Sequence, residues 1–338
     1  MAATPLPPLP HPLVVGDIGG TNARFAWADA PGAEVRIVAR LRTADFAGPA
    51  DAIRHVAGLV GAAPRSAVLC GAGPVDGLRC QLTNAGWLID GHALAAELGL
   101  SGGLLLNDFE AQALSLPAVP AASLLAIGPD HASGPGPRLV LGPGTGLGVG
   151  ALLTVDGRFV PLASEGGHVD LAPGSDEEQA VFARMERVGG RLAGEVVLSG
   201  AGLVRLHRAR CRVAGADSAW TEGAQVVTAA LADPASPEAA TVRMFLDILG
   251  RFAGDMAIAF CATGGVYIAG GIVPRLIPLL DHARFRAAFE AKEPVRWLPE
   301  SIATRLIASA DAVLHGMAAI AARPDRYAVD FGGRDWAS

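Results

Sequence analysis

An apolar run that passes directly into a glycine-rich turn occurs in both halves of the chain, and no other feature constrains the fold as much. Residues 13–15 (LVV) lead to the turn at residues 19–22 (GGTN), and residues 138–141 (RLVL) lead to the turn at residues 142–146 (GPGTG). The segment after each turn has strand character, so each motif predicts a β-hairpin rather than the strand–turn–helix of a dinucleotide-binding unit. Two such hairpins suggest a duplicated architecture. Alternating strands and helices elsewhere indicate an α/β fold.

The bulk properties of the chain exclude several classes of protein. With 338 residues, of which 51% are hydrophobic and 18% charged, the chain can build two packed domains. No stretch approaches the roughly 20 uninterrupted apolar residues that a membrane span needs, and a net charge of −6 argues against a nucleic-acid surface. Four widely separated cysteines without a signal-peptide pattern indicate reduced thiols. We therefore expect a cytoplasmic protein with neither a membrane nor a nucleic-acid partner.

The glycine turns are candidates for binding phosphate. Glycine leaves backbone N–H groups open to close approach by phosphate oxygens, and a third such turn follows the apolar residues 266–269. The only lysine, Lys292, follows Glu290 and Ala291, which excludes both a P-loop and a protein-kinase site. An ordinary tight turn remains the alternative for each turn alone, whereas three together favour phosphate. The candidate nucleotide-binding residues are Gly19, Gly20, Thr21, Asn22, Gly144, Thr145, Gly146, Gly270 and Gly271.

Two carboxylates follow apolar strands. Asp17 lies beside the first glycine turn, where an acid associated with a metal ion would lie in a phosphate site. Asp108 follows Asn107 at the end of the apolar residues 104–106 and precedes a helix. Open α/β sheets bind ligands at this edge of their strands. Either aspartate could instead be a helix N-cap.

A third group of polar residues suits sugar hydroxyls. Glu165 and His168 flank two glycines, and Glu195 precedes an apolar segment. Carboxylates accept hydrogen bonds from hydroxyls, and the imidazole can donate or accept. A surface turn and a solvated charge are the alternatives, and no further ligands lie nearby in the sequence for a zinc site.

Taken together, these segments resemble the bacterial glucokinases of the hexokinase/actin/Hsp70 ATPase superfamily. The resemblance runs in order from about residue 13 to about residue 321. Pro143 departs from the small residue usual in the second phosphate motif, and the cysteine-rich zinc motif of the related repressor/kinase (ROK) family is missing. The matching segments are residues 16–24 (GDIGGTNAR), 106–109 (LNDF), 139–148 (LVLGPGTGLG), 165–168 (EGGH), 195–200 (EVVLSG) and 268–274 (IAGGIVP).

The resemblance implies a fold of two RNase H-like α/β domains around a deep cleft. Residues 13–118 with the C-terminal helical segment 308–338 would form the small domain, residues 119–307 the large domain, and residues 1–12 a flexible Pro-rich tail. The implied reaction is transfer of the γ-phosphoryl group of ATP to the 6-hydroxyl of glucose, with Mg²⁺, in a homodimer.

The resemblance also assigns roles to the candidate residues. Asp108 would act as the general base, and Asp17 would reach Mg²⁺ directly or through water. The glycine turns would hold the phosphates. Glucose would be bound by Asn107, Asp108, Glu165, His168 and Glu195.

Other functions stay open from the sequence. The motifs suit phosphates and sugar hydroxyls in general, so a kinase for another hexose, or one that uses polyphosphate or ADP, is an alternative. A sugar sensor that lost catalysis is a second, and the presence of both Asp17 and Asp108 argues against it. A chaperone or actin-like ATPase is a third, in which the segment 165–168 would have no role.

Overall fold

The computed structural model of the protein describes residues 7–83, 85–329 and 336. Its chain forms two compact units. Unit 1 comprises Met1–Ala121, Leu152–Leu162 and Asp311–Ser338, and unit 2 comprises Ala122–Ala151 and Ala163–Ala310. The sequence does not predict that residues 152–162 belong to unit 1. They are held there because the ring of Phe159 packs at a tilt against that of Tyr327, with centroids 5.4 Å apart, and Arg158 Nη2 donates to the Tyr327 carbonyl at 2.8 Å.

The strands are given first, in chain order. Over the described residues they are β1 (Leu13–Ile18), β2 (Asn22–Ala28), β3 (Arg36–Arg42), β4 (Ser66–Gly71), β5 (Val75–Asp76), β6 (Arg79–Gln81), β7 (Leu88–Asp90), β8 (Gly103–Asn107), β9 (Leu124–Ala126), β10 (Arg138–Pro143), β11 (Leu147–Val155), β12 (Arg158–Ser164), β13 (Val266–Ile268) and β14 (Thr304–Ile307).

The helices lie between and after these strands. They are α1 (Pro49–Val60), α2 (Gly91–Leu98), α3 (Asp108–Ser115), α4 (Asp176–Phe182), α5 (Gly194–Val197), α6 (Gly200–Val213), α7 (Gly223–Ala232), α8 (Pro237–Ala259), α9 (Val273–Leu276), α10 (His282–Glu290), α11 (Trp297–Glu300) and α12 (Ala312–Ala322). Within the described parts of the chain, no helix is both long enough and apolar enough to cross a membrane.

Unit 1 is built on a five-stranded sheet with the order β3-β2-β1-β4-β8. β1 pairs antiparallel with β2 and parallel with β4, and β8 is parallel to β4. Because parallel strands end at the same edge of a sheet, β1, β4 and β8 bring Asp17, Gly71 and Asn107 to one edge. Apolar side chains of α1 and α2 pack with one face of this sheet in a continuous core.

A six-stranded sheet has the order β12-β11-β10-β13-β14-β9, and its strands β9, β10, β13 and β14 lie in unit 2. β13 is parallel to both β10 and β14, and β9 is antiparallel to β14. The long helix α8 lies in the core of unit 2, where Phe245, Leu249 and Phe252 are buried. The ends of β10 and β13 carry the second and third glycine turns to one edge of the sheet.

The five strands of the unit 1 sheet recur in the same relative order in the six-stranded sheet once its edge strand β9 is left out. The order β3-β2-β1-β4-β8 corresponds to β12-β11-β10-β13-β14, and the glycine-turn hairpin is β1 with β2 in the first sheet and β10 with β11 in the second. This is the duplicated architecture that the two hairpins suggest.

The N-terminal segment differs from the loose tail that the sequence predicts. Leu9 N donates to the Ala321 carbonyl at 2.9 Å, and Pro12 O accepts from Arg65 N at 2.8 Å. Ser66 Oγ also donates to the Pro10 carbonyl. Main-chain hydrogen bonds therefore fix residues 9–12 against unit 1. Residues 1–6 lie outside the described residues.

Candidate active site

Asn107 and Asp108 lie where strand β8 becomes helix α3. Asn107 is the N-cap: its Oδ1 accepts from the amides of Phe109 at 2.9 Å and Glu110 at 3.3 Å, and Glu110 Oε2 accepts from Asn107 N at 3.4 Å. This reciprocal capping box fixes the first turn of the helix. The capping role left open for Asp108 thus belongs to Asn107, and Asp108 is the first helical residue.

The side-chain amide of Asn107 is also engaged on its other side. Its Nδ2 donates to the Gly73 carbonyl, in the turn after β4, at 3.0 Å. An amide nitrogen carries two hydrogens. A contact from Asn107 to a sugar would therefore use the second hydrogen, with the first held by the protein.

The electrostatic environment of Asp108 raises its pKa to about 6, chiefly through burial. The main-chain amide of Phe109, which donates to Asp108 Oδ1 at 3.0 Å, opposes this shift, and the negative charge of Asp17 adds to it. A carboxyl with this pKa is mostly ionised at neutral pH and still takes up a proton readily. Those are the properties of a general base.

Asp17, Arg24 and Cys70 form one row across the sheet of unit 1. Asp17 pairs in register with Arg24 on β2 and with Cys70 on β4. Arg24 Nη2 forms an ion pair with Asp17 Oδ2, and Cys70 Sγ donates to Oδ1 at 3.4 Å. Burial raises the pKa of the Cys70 thiol well above its ordinary value, and the charges of Asp17 and Asp108 raise it too. The thiol therefore stays protonated and acts as a donor.

The row of charges continues beyond Arg24 within unit 1. Arg24 Nη1 lies 4.0 Å from Asp311 Oδ1, next to α12, and Arg40 Nη2 donates to both carboxylate oxygens of Asp311, at 2.9 and 2.7 Å. Carboxylates and guanidinium groups thus alternate from Asp17 to Arg40. Each member is held by a neighbour of opposite charge, which fixes the direction of the Asp17 carboxylate.

The residues present fit a magnesium ion that arrives with the nucleotide. Mg²⁺ is usually held by one or two carboxylates together with phosphate oxygens and waters, and Asp17 supplies one carboxylate beside a glycine turn. Over the described ranges, no group of three or more His, Cys, Asp and Glu side chains is arranged to hold a metal ion. Because both oxygens of Asp17 already accept from Arg24 and Cys70, a water-mediated contact would leave these bonds intact.

The turn between β1 and β2 has its carbonyl oxygens tied down. Gly19 N donates to the Asn22 carbonyl at 2.9 Å, Thr43 Oγ1 donates to the Gly20 carbonyl at 2.7 Å, and Thr43 N donates to the Thr21 carbonyl at 3.0 Å. Carbonyl oxygens repel phosphate oxygens, whereas N–H groups attract them. Thr43 therefore favours anion binding at this turn.

The turn between β10 and β11 is braced by Glu195. Leu147 N donates to Glu195 Oε2 at 2.9 Å, and a Cβ atom at Gly146 would lie 2.3 Å from the same oxygen. Gly144 N donates to the Gly146 carbonyl at 2.7 Å, whereas a Cβ atom at Gly144 would meet nothing within 4 Å. Gly146 is thus required by packing, and Gly144 faces open space next to the exposed Thr145.

The third glycine turn follows β13. Gly270 has a φ of 85°, and a Cβ atom there would lie 2.4 Å from the Pro143 carbonyl at the end of β10. Gly271 is exposed, and a Cβ atom there would meet nothing within 4 Å. The close approach of two strand ends explains Gly270, and Gly271 stays open to a ligand.

The segment 165–168 forms a single 3-10 turn that packs against the start of β11. Ser164 Oγ accepts from Gly166 N at 2.9 Å, and a Cβ atom at Gly167 would lie 1.9 Å from the Leu147 carbonyl. Glu165 Oε2 and His168 Nε2 lie 3.6 Å apart, with 91% and 54% of their side chains exposed. Leu147 thus donates to Glu195 through its amide, and its carbonyl lies against Gly167, which separates Glu165 from His168 in the sequence together with Gly166.

Sequence reasoning missed residues that act through these candidates. Cys70 and Asp311 could not be found from the sequence. Cys70 reaches Asp17 through strand pairing, and Asp311, which reaches Arg24, lies far along the chain at the start of α12. In the sequence, Arg24 belongs to the first phosphate motif, which assigns it no role of its own. Its opposition to Asp17 could have been found from the sequence, since the length of the hairpin turn sets which residues face each other.

Two sheets that repeat one five-strand arrangement, each with a glycine turn between paired strands, are typical of the actin-like ATPase fold. A structure of this kind is that of a ROK family glucokinase from Streptomyces griseus in complex with glucose and AMPPNP. It covers 90% of this chain and 97% of its own at 22% identity, with a TM-score of 0.62. At that identity the likeness shows the fold alone.

Closer relatives identify the family. The family model Glucokinase matches residues 14–324. The glucokinase of a Chelativorans strain is 43% identical over 97% of this chain and 96% of its own length. The crystal structure of glucokinase from an Antarctic psychrotroph is 31% identical, covers 91% of this chain and 97% of its own, and has a TM-score of 0.81. The chain belongs to the glucokinase family.

Proposed function

We propose that this protein transfers the γ-phosphoryl group of ATP to the 6-hydroxyl of glucose. The family membership, shared over nearly the full chain, supports the reaction. The glucose and AMPPNP in the Streptomyces griseus structure support the two substrates by analogy. The observation that carries the proposal is the state of Asp108. This residue is the first of α3, its carboxyl has a pKa raised to about 6, and the N-cap of the helix is Asn107.

Asp108 takes the proton of the attacking hydroxyl. Phosphoryl transfer depends mostly on positioning and electrostatics, and a general base typically contributes about 10²–10⁴-fold. The capping box of Asn107 and Glu110 holds the first turn of α3, so the carboxyl is presented from a rigid element. The proton leaves the hydroxyl as its oxygen attacks, and Asp108 carries it afterwards.

The sugar is oriented by acceptors and donors of unit 2. Glu165 and Glu195 accept from ring hydroxyls, and His168 donates or accepts according to its tautomer. Asn107 has one amide hydrogen left for a sugar hydroxyl. A site built from such polar groups rejects a sugar that lacks a hydroxyl, because its own groups are then left unpaired.

The phosphates are held by backbone N–H groups of the three glycine turns rather than by a lysine. Asp17 would hold Mg²⁺ through water, and the ion would supply positive charge to the phosphates. Arg24 and Cys70 keep the Asp17 carboxylate in one direction. The protein acts in the cytoplasm as a homodimer. Sedimentation of the purified protein tests the oligomeric state.

The test compares the wild type with Asp108→Asn in a coupled assay for glucose 6-phosphate. We expect kcat to fall by about 10²–10⁴-fold while glucose binding is retained. The variant should not lose stability, because an ionised carboxyl in a partly buried place costs folding free energy that Asn removes. Asp29→Asn, at an exposed ion pair with Arg36, is the matched control and should keep full activity.

The pH profile gives an independent reading. The base must be ionised, so kcat/KM of the wild type for glucose, which reports the ionisation of the free enzyme, should fall as the pH drops through about 6. A wild type that does not phosphorylate glucose would refute the proposed reaction, and an Asp108→Asn variant within tenfold of the wild type would refute the role of Asp108.

A further inference from the structure

A two-residue hairpin turn lies close to the turn at residues 165–168. Val188 N donates to the Arg191 carbonyl at 3.1 Å, and Arg191 N donates to the Val188 carbonyl at 3.1 Å. Between them, Gly189 and Gly190 have φ angles of 58° and 77°. Positive φ at both central positions is the type I′ conformation, which glycine adopts at little cost. The Gly-Gly pair therefore fixes the place where Arg191 leaves the turn.

After this turn, the chain pairs with the residues that follow His168. Leu171 N donates to the Leu192 carbonyl at 2.9 Å, Gly194 N donates to the Val169 carbonyl at 2.9 Å, and Asp170 and Ala193 form an antiparallel bridge. The next residue along the chain is Glu195. A short main-chain ladder thus joins the segment of His168 to the segment of Glu195.

The side chain of Arg191 completes this connection. Its Nη2 donates to the His168 carbonyl at 3.1 Å, and its Nε donates to Asp170 Oδ1 at 2.9 Å. An exposed ion pair with Asp170 alone would contribute little to the stability of the fold. The bond to a main-chain carbonyl is different in kind, because it restrains the backbone that carries the His168 imidazole.

We propose that Arg191 is a positioning residue for sugar binding, which holds the His168 carbonyl and so sets the orientation of the imidazole. The inference rests on the proposed function, because it assigns Arg191 to the sugar-binding residues of the same reaction. Only a planar guanidinium can donate to the carbonyl and to the carboxylate at once through a rigid fork. The ammonium of a lysine carries its three donors on a single nitrogen and lacks this fixed geometry, so it would restrain the two acceptors less well.

The first experiment measures steady-state kinetics of Arg191→Ala and Arg191→Lys. We expect the KM for glucose to rise about tenfold in Arg191→Ala, which corresponds to the loss of one hydrogen bond, with kcat and the KM for ATP within about twofold. Arg191→Lys should recover only part of the loss. Arg187→Ala, four residues earlier on the same loop, is the matched control and should bind glucose as the wild type does.

The second experiment moves Arg191 without replacing it. Gly189→Val places a β-branched residue at positive φ and should raise the KM for glucose, whereas Gly189→Asn is tolerated in a type I′ turn and should not. A change of equal size in both variants would contradict the positioning role, because it would show that the turn geometry does not matter.

A third measurement does not depend on turnover. Hydrogen exchange of the amides at residues 165–171 should quicken at least fivefold in Arg191→Ala, with the thermal midpoint unchanged, since the main-chain ladder persists. Wild-type protein that fails to phosphorylate glucose while this exchange quickens would overturn the proposed reaction, and with it the role of Arg191 in sugar binding, and would leave only the restraint of the His168 backbone by Arg191. Unchanged exchange together with an unchanged KM for glucose would overturn the inference.

Discussion

Replacing single glycines by alanine should separate glycines that bind phosphate from glycines that only permit close packing. The two kinds occur side by side in the second and third turns. A Cβ atom at Gly144 would meet nothing within 4 Å, whereas at Gly270 it would lie 2.4 Å from the Pro143 carbonyl. The two glycines differ in backbone conformation as well, because Gly270 has a φ of 85°.

The magnitudes follow from this difference. At Gly270, a left-handed backbone costs an alanine about 1–2 kcal/mol, and the clash with Pro143 adds about 1–3 kcal/mol. Gly270→Ala should therefore lower the free energy of unfolding by about 2–5 kcal/mol. At Gly144 neither cost arises, so Gly144→Ala should change it by less than about 0.5 kcal/mol.

Activity should respond in the opposite way. If the N–H groups around Gly144 bind phosphate oxygens, a methyl group there keeps the oxygens at a distance. The KM for ATP of Gly144→Ala should rise about tenfold or more, while the KM for glucose stays within about twofold. Gly32→Ala, at a turn of unit 1 with a φ of 75° and open space around it, is the control for backbone strain without a ligand.

The assay combines urea unfolding with coupled kinetics at saturating Mg²⁺. Gly144→Ala with an unchanged KM for ATP and unchanged stability would refute the reasoning that this turn binds phosphate. Gly270→Ala with wild-type stability would show that the ends of β10 and β13 can separate at no cost, and the packing account of Gly270 would then be wrong.

Three further predictions concern the interior of the two units. Lys292→Met should leave kcat within about twofold, because the only lysine is buried and paired with Asp255 at 2.9 Å, and coupled kinetics tests this. Gly316→Ala should destabilise unit 1 by about 1–3 kcal/mol in urea unfolding, since its Cβ atom would lie 2.1 Å from Ser115 Cβ. Burial lowers the pKa of His207, so the neutral form is favoured in the folded state, and unfolding free energy should fall as the pH drops below about 6.5. Urea unfolding of the wild type and His207→Gln between pH 8 and 5 measures that loss, which the variant should lack.

Elements with a strong local pattern could be predicted from the sequence. The apolar spacing over residues 238–262 predicts a long helix, and α8 covers Pro237–Ala259. The sequence predicts a helix over residues 51–60. In the structure, α1 begins two residues earlier, because Pro49 is well placed in the first turn of a helix. The turn-linked strands β1, β2, β10 and β11 were also predicted, since glycine turns mark their ends.

The connections that hold the candidate site could not be read locally. Glu195 has the sequence character of a solvated charge, yet its carboxylate braces Leu147, which lies 48 positions earlier in the chain. The short sheet of β5, β6 and β7 carries too few residues for a periodic signal. The assignment of capping to Asn107 rather than Asp108 depends on where β8 ends, and element boundaries are the least certain part of a sequence-based prediction.

The duplicated sheets explain why the two turns carry different residues. The turn after β1 has Asp17 just before it, whereas the corresponding end of β10 has Gly142, whose Cβ atom would lie 2.5 Å from the Ala269 carbonyl. A carboxylate at that place in unit 2 would meet the backbone directly after β13 and would repel the phosphates. The copy in unit 1 keeps the acid because Arg24 and Cys70 hold it, and the strand β8 at the same edge adds Asp108. The two copies of one sheet arrangement thus differ at the same edge. The edge in unit 1 carries carboxylates suited to proton and metal chemistry, and the edge in unit 2 carries glycines.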